Sequence, residues 1–252
     1  MTPRTYSTPE GFRVALEQRL RSQVSTGAEF VRKRQILVFE RFLARLLAAL
    51  GEKVVLKGGL ALELRLERAR TTKDVDLRLM GSPQDLLEKL QEAGRLELGD
   101  FMAFEVTPDP DHPEIRNEGM PYEGLRFRAA CKIAGKLFGQ EFGVDVAFGD
   151  PMLGEPDLAP AEDFLAFAGV APPVVRIYPI ETHIAEKLHA YTQPRKRPNS
   201  RVKDLPDLGL LATARPIFAG RLRAALEQSF EFRGTHALPN WLPQPGDSWS
   251  AP

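Results

Sequence analysis

The chain has 252 residues, of which 43% are hydrophobic and 27% charged, and its 34 Lys and Arg residues balance 34 Asp and Glu residues. No apolar run approaches membrane-spanning length and residues 1–5 contain no signal-peptide core, so we expect a cytoplasmic protein without a membrane partner. A single cysteine, Cys131, excludes an internal disulfide and a zinc site of the usual cysteine type.

The hydrophobic pattern predicts an α/β (α+β) fold, in which a mixed sheet with helices is followed by a helical C-terminal lobe. Residues 1–150 form the predicted N-terminal helices and core, and residues 151–252 form the predicted C-terminal lobe. A Pro-rich hinge is predicted over residues 149–179. The predicted helices of the first part cover residues 9–24, 28–50, 59–67 and 83–93, and the predicted strands cover residues 53–57, 74–80, 101–107, 125–134 and 141–148.

Two glycines mark the junction between the first predicted strand and the helix that follows it. Lys57, Gly58 and Gly59 end the apolar run of residues 54–56. The free N–H groups and the positive dipole end of a helix N-terminus bind anions, and glycine lets a phosphate approach the backbone without a Cβ in the way. These three residues are therefore candidate triphosphate-binding residues, although a Gly-Gly pair alone is often only a turn.

The next predicted strand carries Asp74 and Asp76 on one face, because strand side chains alternate, while Val75 and Leu77 point to the other face. Two carboxylates on one face suit Mg²⁺, which takes one or two carboxylates together with substrate phosphates. Thr72 faces the same side and is a candidate phosphate contact. The helix between the glycines and this strand returns the chain, so the turn and the strand can face each other. A solvated strand face is the alternative interpretation.

A third carboxylate is expected on a neighbouring strand, since phosphoryl chemistry with two Mg²⁺ ions, or with Mn²⁺ in their place, needs negative charge to hold two cations. Asp145 is the candidate, because it is a lone charge in the apolar pattern of residues 142–148, where burial without a partner would be costly. Its position alone also allows a water-facing side chain, and Glu141 and Asp150 compete for the same role.

A further helix is predicted over residues 180–192, and Lys187 falls on the same side of it as the apolar stripe. A lysine in that position must find an anion, and a triphosphate oxygen would serve. The alternative is a lysine that snorkels to water and pairs with Glu181 or Glu186.

Asp204 and Asp207 lie three residues apart and therefore near one helical face, and Pro206 favours a helix that starts near Asp204. Asp204 is a candidate general base, because an acceptor hydroxyl that attacks a phosphate must lose its proton. The alternative is an acidic first turn that stabilises the helix dipole.

Candidate acceptor-binding groups occur between these two predicted helices. Six basic residues and no acidic one lie from Lys187 to Lys203, and such a stretch beside a metal site could hold a phosphate backbone. A solvated surface loop bounded by prolines is the alternative. His183 and His189 lack metal-ligand spacing, and we interpret them as surface or acceptor-side groups. The candidate RNA-binding residues are Arg195, Lys196, Arg197, Arg201 and Lys203.

Four sequence blocks in this order resemble the AbiEii/AbiGii type of nucleotidyltransferase toxins, a branch of the DNA polymerase β-like nucleotidyltransferase superfamily. The blocks cover residues 54–59 with 61–62, residues 70–77 with the Asp145 strand, residues 178–181 with 185–190, and residues 201–208. One departure is Leu60, which stands where a small hydroxyl residue often follows the glycines, so backbone N–H groups must carry more of the phosphate binding.

The resemblance implies a metal-dependent enzyme that moves a nucleotide from an NTP onto an acceptor, in some members the 3′ end of tRNA, and releases pyrophosphate. It also implies a toxin whose growth-arresting effect is countered by a cognate antitoxin. For Lys187 it implies a nucleotide-contacting or catalytic role, and for Asp204 the role of general base. Two alternatives stay open, namely an enzyme that modifies proteins or transfers phosphate, and a non-catalytic module that binds RNA or antitoxin.

Overall fold

The computed structural model describes residues 3–66, 71–115, 124–195, 201–242 and 244–245. Within these ranges it contains seven α-helices and a nine-stranded mixed sheet, so the predicted α/β class is confirmed. The helices are α1 (Pro9–Ser22), α2 (Gly27–Leu50), α3 (Gly58–Arg65), α4 (Leu86–Gly94), α5 (Ile180–Thr192), α6 (Asp204–Ala214) and α7 (Ala219–Arg233). The strands are β1 (Val54–Lys57), β2 (Asp74–Leu79), β3 (Met102–Pro108), β4 (Glu114–Ile115), β5 (Gly124–Ile133), β6 (Lys136–Leu137), β7 (Phe142–Phe148), β8 (Asp157–Pro160) and β9 (Val174–Ile177).

The central position in the sheet belongs to β2. The strand order is β3-β5-β7-β2-β1-β9-β8, and β4 and β6 both pair with β5. β2 runs antiparallel to β1 and parallel to β7. Along β2, Val75, Leu77 and Leu79 are buried while Asp74 is exposed, as the alternation predicted. The acidic face of this strand is therefore turned away from the core.

The helices α1, α2 and α4 share one apolar core with the sheet. α2 begins after Thr26, whose hydroxyl accepts a hydrogen bond from the Glu29 amide at 3.1 Å and so satisfies one of the free N–H groups of the first turn. Phe39 and Phe42 of α2 pack edge-on against Phe142 of β7, with ring centroids 5.0 and 5.4 Å apart. These contacts hold the central strands in place on the side opposite the acidic face.

Residues 149–179 contain two short strands that the sequence pattern did not predict. β9 pairs with β1 in parallel and β8 pairs with β9, so this Pro-rich segment extends the sheet. Tyr178 then donates its backbone N–H to the Leu56 carbonyl at 2.9 Å, which fixes the start of α5 beside the end of β1. α6 and α7 both pack against α5. The division of the chain at residue 150 stays a prediction.

The bounds of the predicted strands and helices agree with the structure within three residues. The strands that the pattern missed, β4, β6, β8 and β9, are only two to four residues long, and such runs are too short to show a period. Among the described residues, no helix combines the length and the apolar character that crossing a bilayer requires.

Candidate functional site

Four charged side chains stand in one row across the middle of the sheet. Lys57 on β1 is opposite Asp76 on β2, Asp76 is opposite Asp145 on β7, and Asp145 is opposite Arg126 on β5. Residues that are paired in register place their side chains on the same face of a sheet, a few ångströms apart. The strand pairing therefore sets two carboxylates side by side and one cation at each end of the row.

This row lines a cavity of about 400 Å³ between the sheet and the C-terminal helices. The sheet side also contributes Gly58 and Gly59, at the start of α3. The opposite wall consists of His183, Glu186, Lys187, Arg201, Asp204 and Arg233. Residues of β1 and β2 thus meet residues of α5 that lie more than 100 positions later in the chain across one cavity.

The turn at the start of α3 requires glycine at position 58 for two reasons. Gly58 has a φ of 65°, a left-handed conformation that side-chain-bearing residues rarely adopt. A Cβ at this position would also overlap the carboxylate of Asp76. The absence of this side chain allows the N-terminus of α3 and the carboxylate of β2 to face the same small volume.

The carboxylate of Asp76 lies in an unfavourable electrostatic environment. Burial raises its pKa to about 6, and repulsion from Asp145 and Asp74 adds to this effect, while Lys57 acts in the opposite direction. The negative charge of Asp76 is therefore costly in the folded chain.

Arg126 binds Asp145 through both guanidinium branches. Its Nε donates to Oδ1 and its Nη2 donates to Oδ2, each at 2.7 Å. The hydrogen bonds from Arg126 to Asp145 also raise the pKa of the arginine. Glu141 and Asp150, the competing candidates for a third carboxylate, do not line this cavity, whereas Asp145 does. No local sequence signal marked Arg126, because its role depends on which strand lies beside β7.

Lys187 is buried on α5 and binds two carboxylates of α6. Its Nζ lies 3.1 Å from Asp204 Oδ1 and 2.7 Å from Asp207 Oδ2, and the three side chains are at most 8% exposed. The alternative interpretation of a snorkelling lysine that pairs with Glu181 or Glu186 is therefore wrong. The spacing of three residues does place both aspartates on one face of α6, and that face meets α5.

A second charged group connects the sheet to α5 and α7. Lys57 forms an ion pair with the fully buried Asp150, and its Nζ lies 3.4 Å from Glu186. Arg233, the last residue of α7, lies 3.1 Å from Glu186 and 3.6 Å from Asp150. Burial raises the pKa of Glu186 despite these cations. Sequence reasoning missed Glu186 and Arg233, since neither belongs to a motif by itself.

The family model of the nucleotidyl transferase AbiEii toxin, from type IV toxin–antitoxin systems, matches residues 41–248. The chain belongs to this family. It is therefore a nucleotidyltransferase toxin, and the family implies an NTP substrate and an antitoxin partner. No curated protein matches the sequence.

The fold is similar to that of a solved nucleotidyltransferase toxin, and two further structures superpose less well. MenT4, a nucleotidyltransferase toxin from Mycobacterium tuberculosis H37Rv, superposes with a TM-score of 0.57 at 17% identity, over 86% of this chain and 70% of MenT4. JHP933 from Helicobacter pylori superposes with a TM-score of 0.47 at 20% identity, over 79% of this chain and 80% of JHP933. ANT(2″)-Ia in complex with adenylyl-2″-tobramycin superposes with a TM-score of 0.43 at 19% identity, over 78% of this chain and 97% of ANT(2″)-Ia.

The chemistry of the sheet carboxylates in this AbiEii-family chain fits a divalent cation. Asp76 and Asp145 are hard oxygen donors on one cavity wall, and the repulsion between them, which contributes to the raised pKa of Asp76, is one that a bound cation would reduce. Within the described ranges, however, no three Asp, Glu, His or Cys side chains converge as metal ligands would. Arg126 holds Asp145, and Asp74 lies over Gly143 of β7 and does not line the cavity. The three-carboxylate metal set stays a prediction.

Several predicted site residues lie away from this cavity. Thr72 lines a separate cavity, and its carbonyl accepts a hydrogen bond from Arg32 at 3.1 Å. Among the basic candidates, Arg201 lines the main cavity, whereas Arg195 and Lys203 do not. Lys196 and Arg197 lie outside the described residues.

The two histidines of α5 are not surface groups. His183 and His189 are both only 1% exposed, so the interpretation as surface residues is wrong. His189 packs against Phe230 and bonds through Nε2 with Thr235 at 2.8 Å, whereas His183 lines the main cavity.

Proposed function

We propose that this nucleotidyltransferase transfers an NMP from an NTP to the 3′ end of tRNA, in a reaction that depends on Mg²⁺. The toxin would act in the cytoplasm, where its antitoxin partner counters it. One observation carries the proposal, namely the cavity that brings together the glycine turn, the carboxylates of β2 and β7, and the Lys187–Asp204 pair. Such a cavity can hold a triphosphate on one side and an acceptor hydroxyl on the other.

The triphosphate is assigned to the glycine side of the cavity. Backbone N–H groups at the start of α3 would donate to phosphate oxygens, and the helix dipole favours negative charge there. Lys57 lies on the same wall and would contribute further positive charge. It would do so while it is also paired with Asp150.

Asp74, Asp76 and Asp145 are the residues that would hold Mg²⁺, with two ions expected and Mn²⁺ as the alternative. When bound, these ions offset the negative charge that develops on the attacking and leaving oxygens. Arg126 would have to release Asp145 for this carboxylate to act as a ligand, since it binds both carboxylate oxygens.

Asp204 and Lys187 are assigned to the acceptor side of the reaction. A bond forms between the acceptor oxygen and the α-phosphorus, the bond from this phosphorus to the pyrophosphate oxygen breaks, and Asp204 accepts the proton of the hydroxyl. Lys187 holds Asp204 and Asp207 with two of its N–H donors. Its third donor can contact a phosphate oxygen, which retains the predicted nucleotide-binding role for this lysine.

The acceptor RNA is assigned to the basic residues between α5 and α6. Arg201 lies on the cavity wall beside Asp204, and positive charge there would hold a phosphate near the attacking hydroxyl. Arg195, Lys196, Arg197 and Lys203 would extend this contact along the RNA backbone. We place Thr72 on the nucleotide side only as a prediction from sequence, since it lines another cavity.

The test is an assay with purified protein, Mg²⁺, each of the four NTPs labelled at the α-phosphate, and total tRNA. We expect label on tRNA that a 3′ exonuclease removes, and no label when Asp76→Asn replaces the wild type. Label on protein instead of tRNA would favour the protein-modifying alternative. In host cells, equal toxicity of Asp74→Ala and the wild type would favour a non-catalytic binding module.

A further inference from the structure

His183 is a buried histidine that has no hydrogen-bond partner in the described part of the chain. It lies in the first turns of α5, is 1% exposed, and lines the main cavity. Both ring nitrogens are buried, and neither has a hydrogen-bond partner among the described residues. Buried polar groups in native proteins are nearly always hydrogen-bonded, so an unpaired imidazole on a cavity wall indicates a missing partner in the cavity.

The surroundings of His183 define the chemistry of that partner. Burial lowers its pKa well below the usual value, and Lys187, Arg65 and Lys57 lower it further. The ring is therefore neutral, with one N–H that can donate a hydrogen bond. Lys57 and Lys187 line the same cavity as His183, and the N-terminus of α3 lies on the facing wall, so donors for an anion converge here although both lysines also pair with carboxylates.

We propose that His183 donates a hydrogen bond to an oxygen of the bound triphosphate, as an uncharged donor in the cavity that Lys57 and Lys187 also line. This inference rests on the proposed function, because it takes the cavity to be the NTP site. No motif or family block provided a binding role for His183. The group that His183 contacts is a phosphate of the nucleotide and not its base.

Isothermal titration of the full chain with sodium tripolyphosphate and with Mg-NTP tests this assignment. His183→Phe keeps the ring volume and removes the donor, so both ligands should bind 10-fold or more weakly. His183→Gln restores an N–H donor and should recover most of that loss. The matched control is His189→Phe, on the same helix but away from the cavity, and it should bind both ligands as the wild type does.

A spectroscopic measurement on the wild type avoids any effect of substitution on folding. In NMR spectra of ¹⁵N-labelled protein, the chemical shift of the His183 ring N–H should change on saturation with tripolyphosphate. The chemical shifts of the His189 ring should stay the same. An unchanged His183 signal, or wild-type affinity in folded His183→Phe, would overturn the inference and leave the proposed function intact. Failure of the wild type to bind either ligand would overturn both.

Discussion

At the scale of single residues, the site depends on one position that has no side chain and on one carboxylate whose ionisation is unfavourable. Gly58 lets α3 begin directly against Asp76, because it has no Cβ and adopts a φ of 65°. Asp76 in turn lies beside Asp145, and its burial together with the repulsion from Asp145 raises its pKa to about 6. Both features cost free energy of folding. A cation and a phosphate bound in the cavity would offset these costs.

Gly58→Ala should combine backbone strain with displacement of the Asp76 carboxylate. Gly51 provides a matched control, since it also has a positive φ, 59°, but nothing within 4 Å of an added Cβ. We expect both variants to lose about 1–2 kcal/mol of stability, because a side chain disfavours the positive φ at each position. Only Gly58→Ala should also lose binding of Mg-NTP, as measured by calorimetry. Equal nucleotide affinity in the two variants would contradict the close approach.

Asp76→Asn should abolish nucleotide transfer and at the same time stabilise the metal-free protein. The folded-state pKa of about 6 lies above the usual aspartate pKa of 3.8, so ionisation of Asp76 opposes folding as the pH rises. The variant removes this penalty, with a gain on the order of 1–3 kcal/mol at pH 7. The difference from the wild type should widen between pH 4 and about pH 6 and stay constant above that. Urea denaturation at several pH values measures it, and a less stable variant at pH 7 would contradict the assignment.

At the scale of secondary-structure elements, α5 is the element that completes the site. The backbone bond from Tyr178 to Leu56 fixes its start beside β1, and its cavity face carries His183, Glu186 and Lys187. α6 supplies the two carboxylates that hold Lys187, and α7 ends with Arg233 at Glu186. The helical wall is thus held together by buried ion pairs as well as by apolar contacts.

Lys187→Ala should destabilise the packing of α5 on α6. The change leaves Asp204 and Asp207 buried without the cation that holds them, at a cost of about 3–5 kcal/mol. Lys132 serves as the control, because its ion pair with Glu105 is exposed and Lys132→Ala should cost at most about 1 kcal/mol. Denaturation in urea compares the two variants. Similar small losses in both would show that the buried pair contributes little to folding.

At the scale of the whole molecule, the chain has no net charge, but its acidic and basic residues are concentrated in different places. The carboxylates meet on the sheet, and the basic residues from 195 to 203 occur where α5 ends and α6 begins. This separation allows one face to bind cations while a neighbouring segment attracts a polyanion.

Replacing Arg195, Arg201 and Lys203 together by Gln should weaken tRNA binding for all tRNA sequences alike. Each lost phosphate contact should reduce the slope of log affinity against log salt by about 0.7–0.9. The control replaces Arg4, Arg19 and Arg21, which removes the same charge from the N-terminal part of the chain. Filter binding across a salt series gives both slopes. Equal effects of the two triple variants would show a general charge effect instead of a binding surface.

The sequence by itself determined the parts of the site that depend on local periodicity and backbone freedom. The glycine turn, the alternation of Asp74 and Asp76 on β2, the start of α6 at Asp204 and the shared face of Asp204 and Asp207 follow from neighbouring residues alone. These features were predicted because a strand repeats every two residues, a helix repeats every 3.6, and proline restricts where a helix can begin.

Only the tertiary structure decided which of these local features meet. Arg126 is paired with Asp145 because β5 lies beside β7, and Lys57 reaches Asp150 across 93 residues of chain. The partners of Lys187 depend on how α6 packs on α5. The burial of His183 depends on the pairing of β9 with β1, because β9 leads directly into α5. Long-range pairing is set by the sum of many contacts over the whole fold, so no short stretch of sequence contains it.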